Sequence, residues 1–338
     1  MPIRVAINGF GRIGRCLARV IATAVKDVEL VAINSRADSE VHAHLLRHDS
    51  VHGPFPGAVE ARPDSLIING REVHITRIED VPEKLPWREM GVQVVLESTG
   101  AFRDRASIQG HLQAGARKVV LSAPGKQIDG TFVYGVNHRQ YDPGNHHIIS
   151  NASCTTNCLA PVVKVLHEDF GIEYGLMTTC HSYTMDQRLL DGSHLDLRRA
   201  RAAALSMVPT TTGAARTVTE VIPELKGRLD GLAIRVPTPN VSIVDLVATV
   251  TKATSREEVN QAFVRRAQAG DLQNVLCVAS EPLVSIDYNG TPYSAIVDAE
   301  LTHVQGDKLV KVMAWYDNEM GFSHRMLDLA VYIGRQLD

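Results

Sequence analysis

The stretch Asn8-Gly9-Phe10-Gly11-Arg12-Ile13-Gly14 constrains this chain more than any other. It follows an apolar run, Ile3 to Ile7, that predicts a strand. It precedes Arg15 to Val25, where Leu17, Val20 and Ile21 recur at helical spacing. A G-x-G-x-x-G pattern is weak alone. Between a strand and a helix it reads as the phosphate-binding turn of a dinucleotide-binding unit, and the simple strand–helix turn becomes the lesser alternative. Gly9 permits the tight turn, Gly11 lets the backbone approach a pyrophosphate, and Gly14 lets helix and strand pack closely. The helix start then offers free N–H groups and a positive dipole end to phosphate.

The rest of the first 150 residues keeps this rhythm. Leu30 to Ile33, Val94 to Leu96 and Val119 to Leu121 are short apolar runs of the kind buried on both faces of a parallel sheet. A helix is predicted over Ala106 to Ala116. The character then changes. A helix is predicted from Ser153 to about Phe170, with a kink at Pro161. Longer alternating strands follow at Tyr174 to Tyr183, Leu232 to Val236, Val241 to Thr251 and Lys308 to Tyr316. A last helix, Ser323 to Gln336, has Met326, Leu329, Ala330 and Ile333 on one side and should return to the first domain. The expected fold is an α/β doubly wound (Rossmann) parallel sheet plus an α+β catalytic domain with a mixed or antiparallel sheet. Expected boundaries are 1–153, joined by the C-terminal helix 319–338, and 154–318. A length of 338 residues suits two domains.

A net charge of −3 argues against a nucleic-acid partner. No apolar run is long enough to span a membrane, and the N-terminus lacks a secretory pattern. The five cysteines, an odd number without framework spacing, fit a reducing, cytoplasmic setting, with a plastid location left open for a processed chain. Cys154 and Cys158 have the spacing of half a metal site. His44, His48 and His52 could complete it only from the other half of the chain, so no metal is expected.

Ser153 is a plausible N-cap, placing Cys154 in the first helical turn, where the dipole favours a thiolate. A thiolate there could attack a carbonyl, and backbone N–H groups at the same helix end could meet the oxyanion. Cys158, one turn later, reads as a buried small hydrophobe. The nucleophile needs a base. Of fourteen histidines, His181 stands at the end of a strand candidate, a position that taken alone is more often structural. The basic spot Arg198-Arg199-Ala200-Arg201 is either a solvated face or an anion site. Beyond Ile33 comes Asn34-Ser35-Arg36, with no acid at the strand tip. Ser35 could donate to a 2′-phosphate and Arg36 could add charge, so NADP is expected as cofactor alongside NAD. Asp38 comes later and should cap the next helix.

These residues sit in stretches that resemble the phosphorylating glyceraldehyde-3-phosphate dehydrogenases over nearly the whole length: INGFGRIGR, HDSVHG, LESTGAF, SNASCTTNC, HSYT, DLRRARAAA, PTTTGAA, RVPTPNVS and WYDNEMGFSHR. The resemblance implies a nucleophile at Cys154 and a base at His181. It implies a hemithioacetal, hydride transfer to a nicotinamide, a thioester, and attack by inorganic phosphate to release an acyl phosphate. Thr184 and Arg235 would hold the phosphate of the aldehyde substrate. Ser153, Thr155, Thr212 and Gly213 would hold the attacking phosphate, helped by Arg199. Arg12, Ile13, Arg77, Ser122 and Asn318 would contact the cofactor, with Asn318 orienting the carboxamide. The active form would be a homotetramer, with the segment 186–201 reaching a neighbour's cofactor site. NAD-specific members carry an acid where this chain has Ser35, and many carry Leu-Pro where it has Gly192-Ser193. Ser35 and Ser193 therefore both lean towards NADP. Met185 stands where Asn is common. The rival within the fold is erythrose-4-phosphate dehydrogenase, which tends to alter the HSYT and T-G positions, whereas Thr184, Thr212 and Gly213 are kept here. A chain acting only as a binding protein would be expected to lose Cys154 or His181.

Overall fold

The computed structural model describes residues 2–337. The chain divides into two units. The first takes the residues up to Phe132, His138–Ala152 and those from Ser323 on; the second takes Val133–Asn137 and Ser153–Phe322.

The first unit begins β1 (Ile3–Asn8), α1 (Arg12–Thr23), β2 (Val28–Asn34) and α2 (Ser39–Arg47). A short pair follows, β3 (His48–Asp49) and β4 (Gly53–Pro54). Then come β5 (Val59–Arg62), β6 (Ser65–Ile68), β7 (Arg71–Thr76) and β8 (Val94–Glu97). The helices α3 (Arg105–Ile108) and α4 (Gly110–Gln113) precede β9 (Lys118–Leu121), β10 (Gly130–Thr131) and β11 (Ile148–Ser150). The sheet order is β10-β11-β9-β8-β1-β2-β7-β6-β5. Pairing is parallel from β10 through β7 and antiparallel across β7-β6-β5. Strands β8 and β9 are buried at every position, as crossover helices on both faces require. Trp87, Val95, Ile108, Val119 and Ile148 share one core cluster.

Two expectations are corrected here. The single helix over 106–116 is two helices of four residues each. A Cβ on Gly110 would lie 2.9 Å from the Glu83 backbone nitrogen, so the chain bends at a glycine that must approach its neighbour closely. Asp38 takes the N-cap position of α2 but makes no side-chain capping bond; its carboxylate lies 3.4 Å from Arg77 instead.

The second unit opens with α5 (Cys154–Phe170), followed by β12 (Ile172–Ser182), β13 (Val208–Thr211), α6 (Ala214–Val221) and β14 (Leu229–Val236). β15 (Ser242–Val250), α7 (Arg256–Gln268), β16 (Leu276–Ala279), β17 (Ala295–Asp298), β18 (His303–Gln305) and β19 (Leu309–Tyr316) complete it. Helix α8 (Met320–Gly334) comes last, and from Ser323 it belongs to the first unit. The order β13-β14-β12-β15-β19-β17-β16, with β18 beside β19, is a mixed sheet: β12–β14 and β16–β17 are parallel, the other pairs antiparallel. α5 packs against this sheet and against α6 and α7. Pro161 lies inside α5, which continues past it to Phe170.

Candidate active site

Ser153 stands before α5 in an extended conformation, and its Oγ accepts the Thr156 N–H at 3.0 Å. Such a cap stabilises a helix by about 1 kcal/mol. Here it also fixes Cys154 as the first helical residue, half-buried at the dipole's positive end. β12 brings in the second group. His181 is buried at the strand's end, with Nε2 3.4 Å from Cys154 Sγ. Its Nδ1 lies 2.7 Å from the Ser182 carbonyl oxygen. Arg235 of the neighbouring β14 places Nη1 3.0 Å from that oxygen and 3.3 Å from Thr184 Oγ1. The same nitrogen is 3.0 Å from His181 Nδ1. A guanidinium only donates, and Arg235 has two other acceptors, so the hydrogen-bond pattern assigns the imidazole proton to Nδ1. Nε2 then turns its lone pair to the thiol.

Burial raises the Cys154 pKa, and the Arg235 charge with hydrogen bonds from Thr155 and the backbone pulls it partly back. The net direction is up. Helix position alone pointed to a thiolate; desolvation of the buried sulfur opposes it. Burial, then the charges of Arg235 and Arg199, push His181 down to about 3. Both directions favour a neutral thiol beside a neutral imidazole. Removing the thiol proton would put negative charge 3.4 Å from the ring and favour its protonation.

Three sequence candidates for anion binding lie close to this pair. Arg235 is linked to Thr184, and its Nε is buried without a partner, a donor left over for an oxyanion. Thr155 is different: its hydroxyl lies 2.9 Å from Tyr316 Oη and is buried, so the donor it can offer a bound phosphate is its backbone N–H. Arg199 is held by Asp186, by Thr210 Oγ1 at 3.0 Å and by the Thr211 carbonyl at 3.3 Å. Its charge still reaches His181. Thr212 and Gly213 lead into α6, where the Thr212 hydroxyl accepts the Ala214 N–H at 3.2 Å. Asn318 is buried, and its Oδ1 accepts from Ser242 Oγ at 2.9 Å, which leaves the Nδ2 donor end for a ligand. Ser242, Tyr316 and Asp186 were not singled out from the sequence; their partners lie 13 to 161 residues away, beyond any local pattern.

In the first unit the glycine turn is built as its pattern demands. Gly9 has φ +95°, and a Cβ on Gly14 would lie 2.2 Å from the Gly9 carbonyl oxygen. The space over Gly11 is open, and α1 has no side-chain cap, so its first N–H groups suit a phosphate. Arg12 is drawn aside to Asp49 at 2.5 Å, holding that carboxyl well below its ordinary value despite burial. Beyond the end of β2 lies a cavity of about 280 Å³, lined among others by Asn34, Ser35, Arg36, Glu79 and Phe102. Arg36 is not simply turned to water: it pairs with Glu79 at 2.9 Å. Arg77 pairs with Asp64 at 3.1 Å. The Ser122 N–H donates to the Glu97 carbonyl, and the Ser193 carbonyl accepts from Arg188 in an exposed loop. Met185 is 87% exposed, and nothing in the structure explains its substitution for Asn.

A Rossmann-type unit, with a second unit that sets a cysteine in the first turn of a helix beside a buried histidine, is the architecture of a nicotinamide-dependent oxidoreductase. The comparisons agree. Residues 3–105 match the family model "Glyceraldehyde 3-phosphate dehydrogenase, NAD binding domain", and residues 153–318 match "Glyceraldehyde 3-phosphate dehydrogenase, C-terminal domain". The chain is 56% identical over 333 residues to "Glyceraldehyde-3-phosphate dehydrogenase" of Geobacillus stearothermophilus, covering 98% of each. It is 56% identical over 336 residues, 99% of each, to "Glyceraldehyde-3-phosphate dehydrogenase 2" of Trichormus variabilis. It is 50% identical over 337 residues, the full length of both, to the Streptomyces coelicolor protein of that name. The chain belongs to the glyceraldehyde 3-phosphate dehydrogenase family.

Proposed function

We propose that this chain catalyses the reversible, phosphorylating oxidation of D-glyceraldehyde 3-phosphate to 1,3-bisphosphoglycerate with NAD or NADP. The contact of 3.4 Å between Cys154 Sγ and His181 Nε2, with Arg235 beside it, is the observation that carries the reading. The sulfur attacks the aldehyde carbon while its proton passes to Nε2. The carbonyl oxygen takes up that proton, giving a neutral hemithioacetal. His181 then accepts the hydroxyl proton as the carbon is oxidised to a thioester, and the bound nicotinamide supplies the hydride acceptor. Phosphate attacks the thioester, and sulfur leaves and is reprotonated. Arg235 and Thr184 hold the substrate phosphate; the N-terminal N–H groups of α5 and the start of α6 hold the attacking one. Omitting phosphate should stop steady-state turnover. Unchanged turnover, with a free acid as product, would favour the erythrose-4-phosphate type instead.

The cofactor preference rests on Ser35 and Arg36, with Ser193 in the exposed loop. A carboxylate at position 35 would repel a 2′-phosphate and accept from ribose hydroxyls. Ser35→Asp should lower kcat/KM with NADP by about tenfold or more while sparing NAD. An unchanged ratio of the two constants would remove Ser35 from the specificity determinants. The exposed Leu189, Leu190, Leu195 and Leu197 support a homotetramer, since a monomer leaves that apolar stretch in water. Sedimentation of the purified chain as a monomer would exclude it.

A further inference from the structure

Behind the reacting pair, Tyr316 at the end of β19 makes contacts that the chemistry above does not use. Its Oη lies 2.9 Å from Thr155 Oγ1 and 2.9 Å from Thr179 Oγ1. All three residues are buried. Thr155 is the neighbour of Cys154 in the first turn of α5, and its side chain is among the groups that pull the sulfur's pKa back down against burial. The Tyr316 ring meets His181 edge-on, with centroids 5.9 Å apart at 76°.

We propose that Tyr316 is a positioning residue for Cys154: it orders a chain of hydroxyl donors, from Thr179 through Tyr316 and Thr155 to the sulfur, that stabilises negative charge as the thiol proton leaves. The inference rests on Cys154 being the nucleophile. Each hydroxyl has one proton to give. With the order Thr155 to Tyr316 to Thr179, the Thr155 proton is spent on the phenol and the sulfur receives nothing. With the reverse order, Thr179 donates to Tyr316, Tyr316 to Thr155, and Thr155 to sulfur. A neutral thiol tolerates either order. A negative sulfur is an acceptor only, so it selects the second, and three O–H rotations suffice to reach it.

The phenol suits the central place. It is a stronger donor than an alkanol, and burial together with the Cys154 and Cys158 sulfurs keeps it protonated far above its ordinary range. Chained hydroxyls in a low-dielectric site polarise one another, so the last donor is stronger than an isolated threonine. The other groups facing the sulfur are His181 from β12, Arg235 from β14 and Cys158 one turn along α5, with Arg199 acting through the first two. All of them remain when the single Tyr316 oxygen is removed, and a phenyl ring keeps the edge contact with His181.

The test follows the pH dependence of Cys154 alkylation by iodoacetamide, an uncharged reagent, in the full-length enzyme and in Tyr316→Phe and Thr179→Val. Peptide mapping identifies the labelled residue. The midpoint should rise by about half to one pH unit in Tyr316→Phe, the scale of one lost charge-assisted hydrogen bond acting indirectly. Thr179→Val should move it the same way by less. kcat should fall several-fold, with KM for the aldehyde held within about twofold, because the chain acts on the reacting sulfur and not on substrate binding. Label on Cys154 with superimposable profiles in both variants would overturn the chain and leave the three hydroxyls as packing. Label on another residue would instead overturn Cys154 as the nucleophile. Thr179→Val keeps the question decidable should Tyr316→Phe fold poorly.

Discussion

Cys154→Ser should lower kcat/KM by about ten-thousandfold or more, the scale on which removing a covalent nucleophile acts. Cofactor affinity should stay within about twofold, because the turn that suits the dinucleotide phosphates lies in the first unit and loses nothing. The replacement is nearly isosteric, so the cap at Ser153 and the packing of α5 persist. The loss comes from acidity. Even the thiol is pushed upward by burial, and the neighbouring imidazole is held down to about 3. A base that weak can take a proton from a thiol only as the sulfur attacks. It has almost no driving force to take one from an alkanol, which is far less acidic. Steady-state cofactor reduction and a separate titration of cofactor binding check the two halves of the expectation. A serine variant that reduced cofactor at a comparable rate would mean that the nucleophile lies elsewhere.

The features legible in the sequence were those with local causes. Gly9 and Gly14 carried the turn, since one needs positive φ and the other leaves no room for a Cβ. Runs such as Val94 to Leu96 carried the doubly buried strands, and Ser153 carried the start of α5. The antiparallel hairpins β5-β6-β7 gave no comparable signal, because β7 mixes exposed polar and buried positions and is where the parallel run of the sheet gives way to antiparallel pairing. Gly110 falls inside the single helix expected over Ala106 to Ala116; only the nearby Glu83 backbone makes it a bend. In the site, the pairing of His181 with Cys154 came from resemblance, as strand position alone favoured a structural histidine. Four contacts were invisible beforehand: Thr155 and Thr179 with Tyr316, Ser242 with Asn318, and Arg36 with Glu79. Each joins side chains brought together by sheet order or chain reversal, which no spacing rule encodes. Helix position pointed to a thiolate and burial opposes it, because desolvation depends on everything packed around the sulfur.

His181→Asn should lower kcat by about a hundred- to ten-thousandfold, the usual contribution of a positioned general base. An amide can hold the hydrogen bonds to the Ser182 carbonyl side but cannot accept the thiol or hemithioacetal proton. The same substitution should also change the protein's response to acid. In the folded chain the imidazole binds a proton only near pH 3, against an ordinary value of 6.5. The unfolded chain binds that proton first as pH falls, so the folded state loses stability progressively below about 6.5 until its own value is reached. One pH unit below 6.5 this histidine alone costs on the order of 1 kcal/mol. Above 6.5 it costs nothing. His324, pushed by burial and Arg325 down to about 4, adds a loss of the same sign and remains in the variant. Denaturant unfolding at pH 7.5 and 5.5 should therefore show a smaller fall in stability for His181→Asn than for the parent chain. A variant that lost activity but kept the parent's full acid sensitivity would show that His181 already carries its proton in the folded enzyme. The thiol would then face an imidazolium, and His181 would act first as an acid and not as a base.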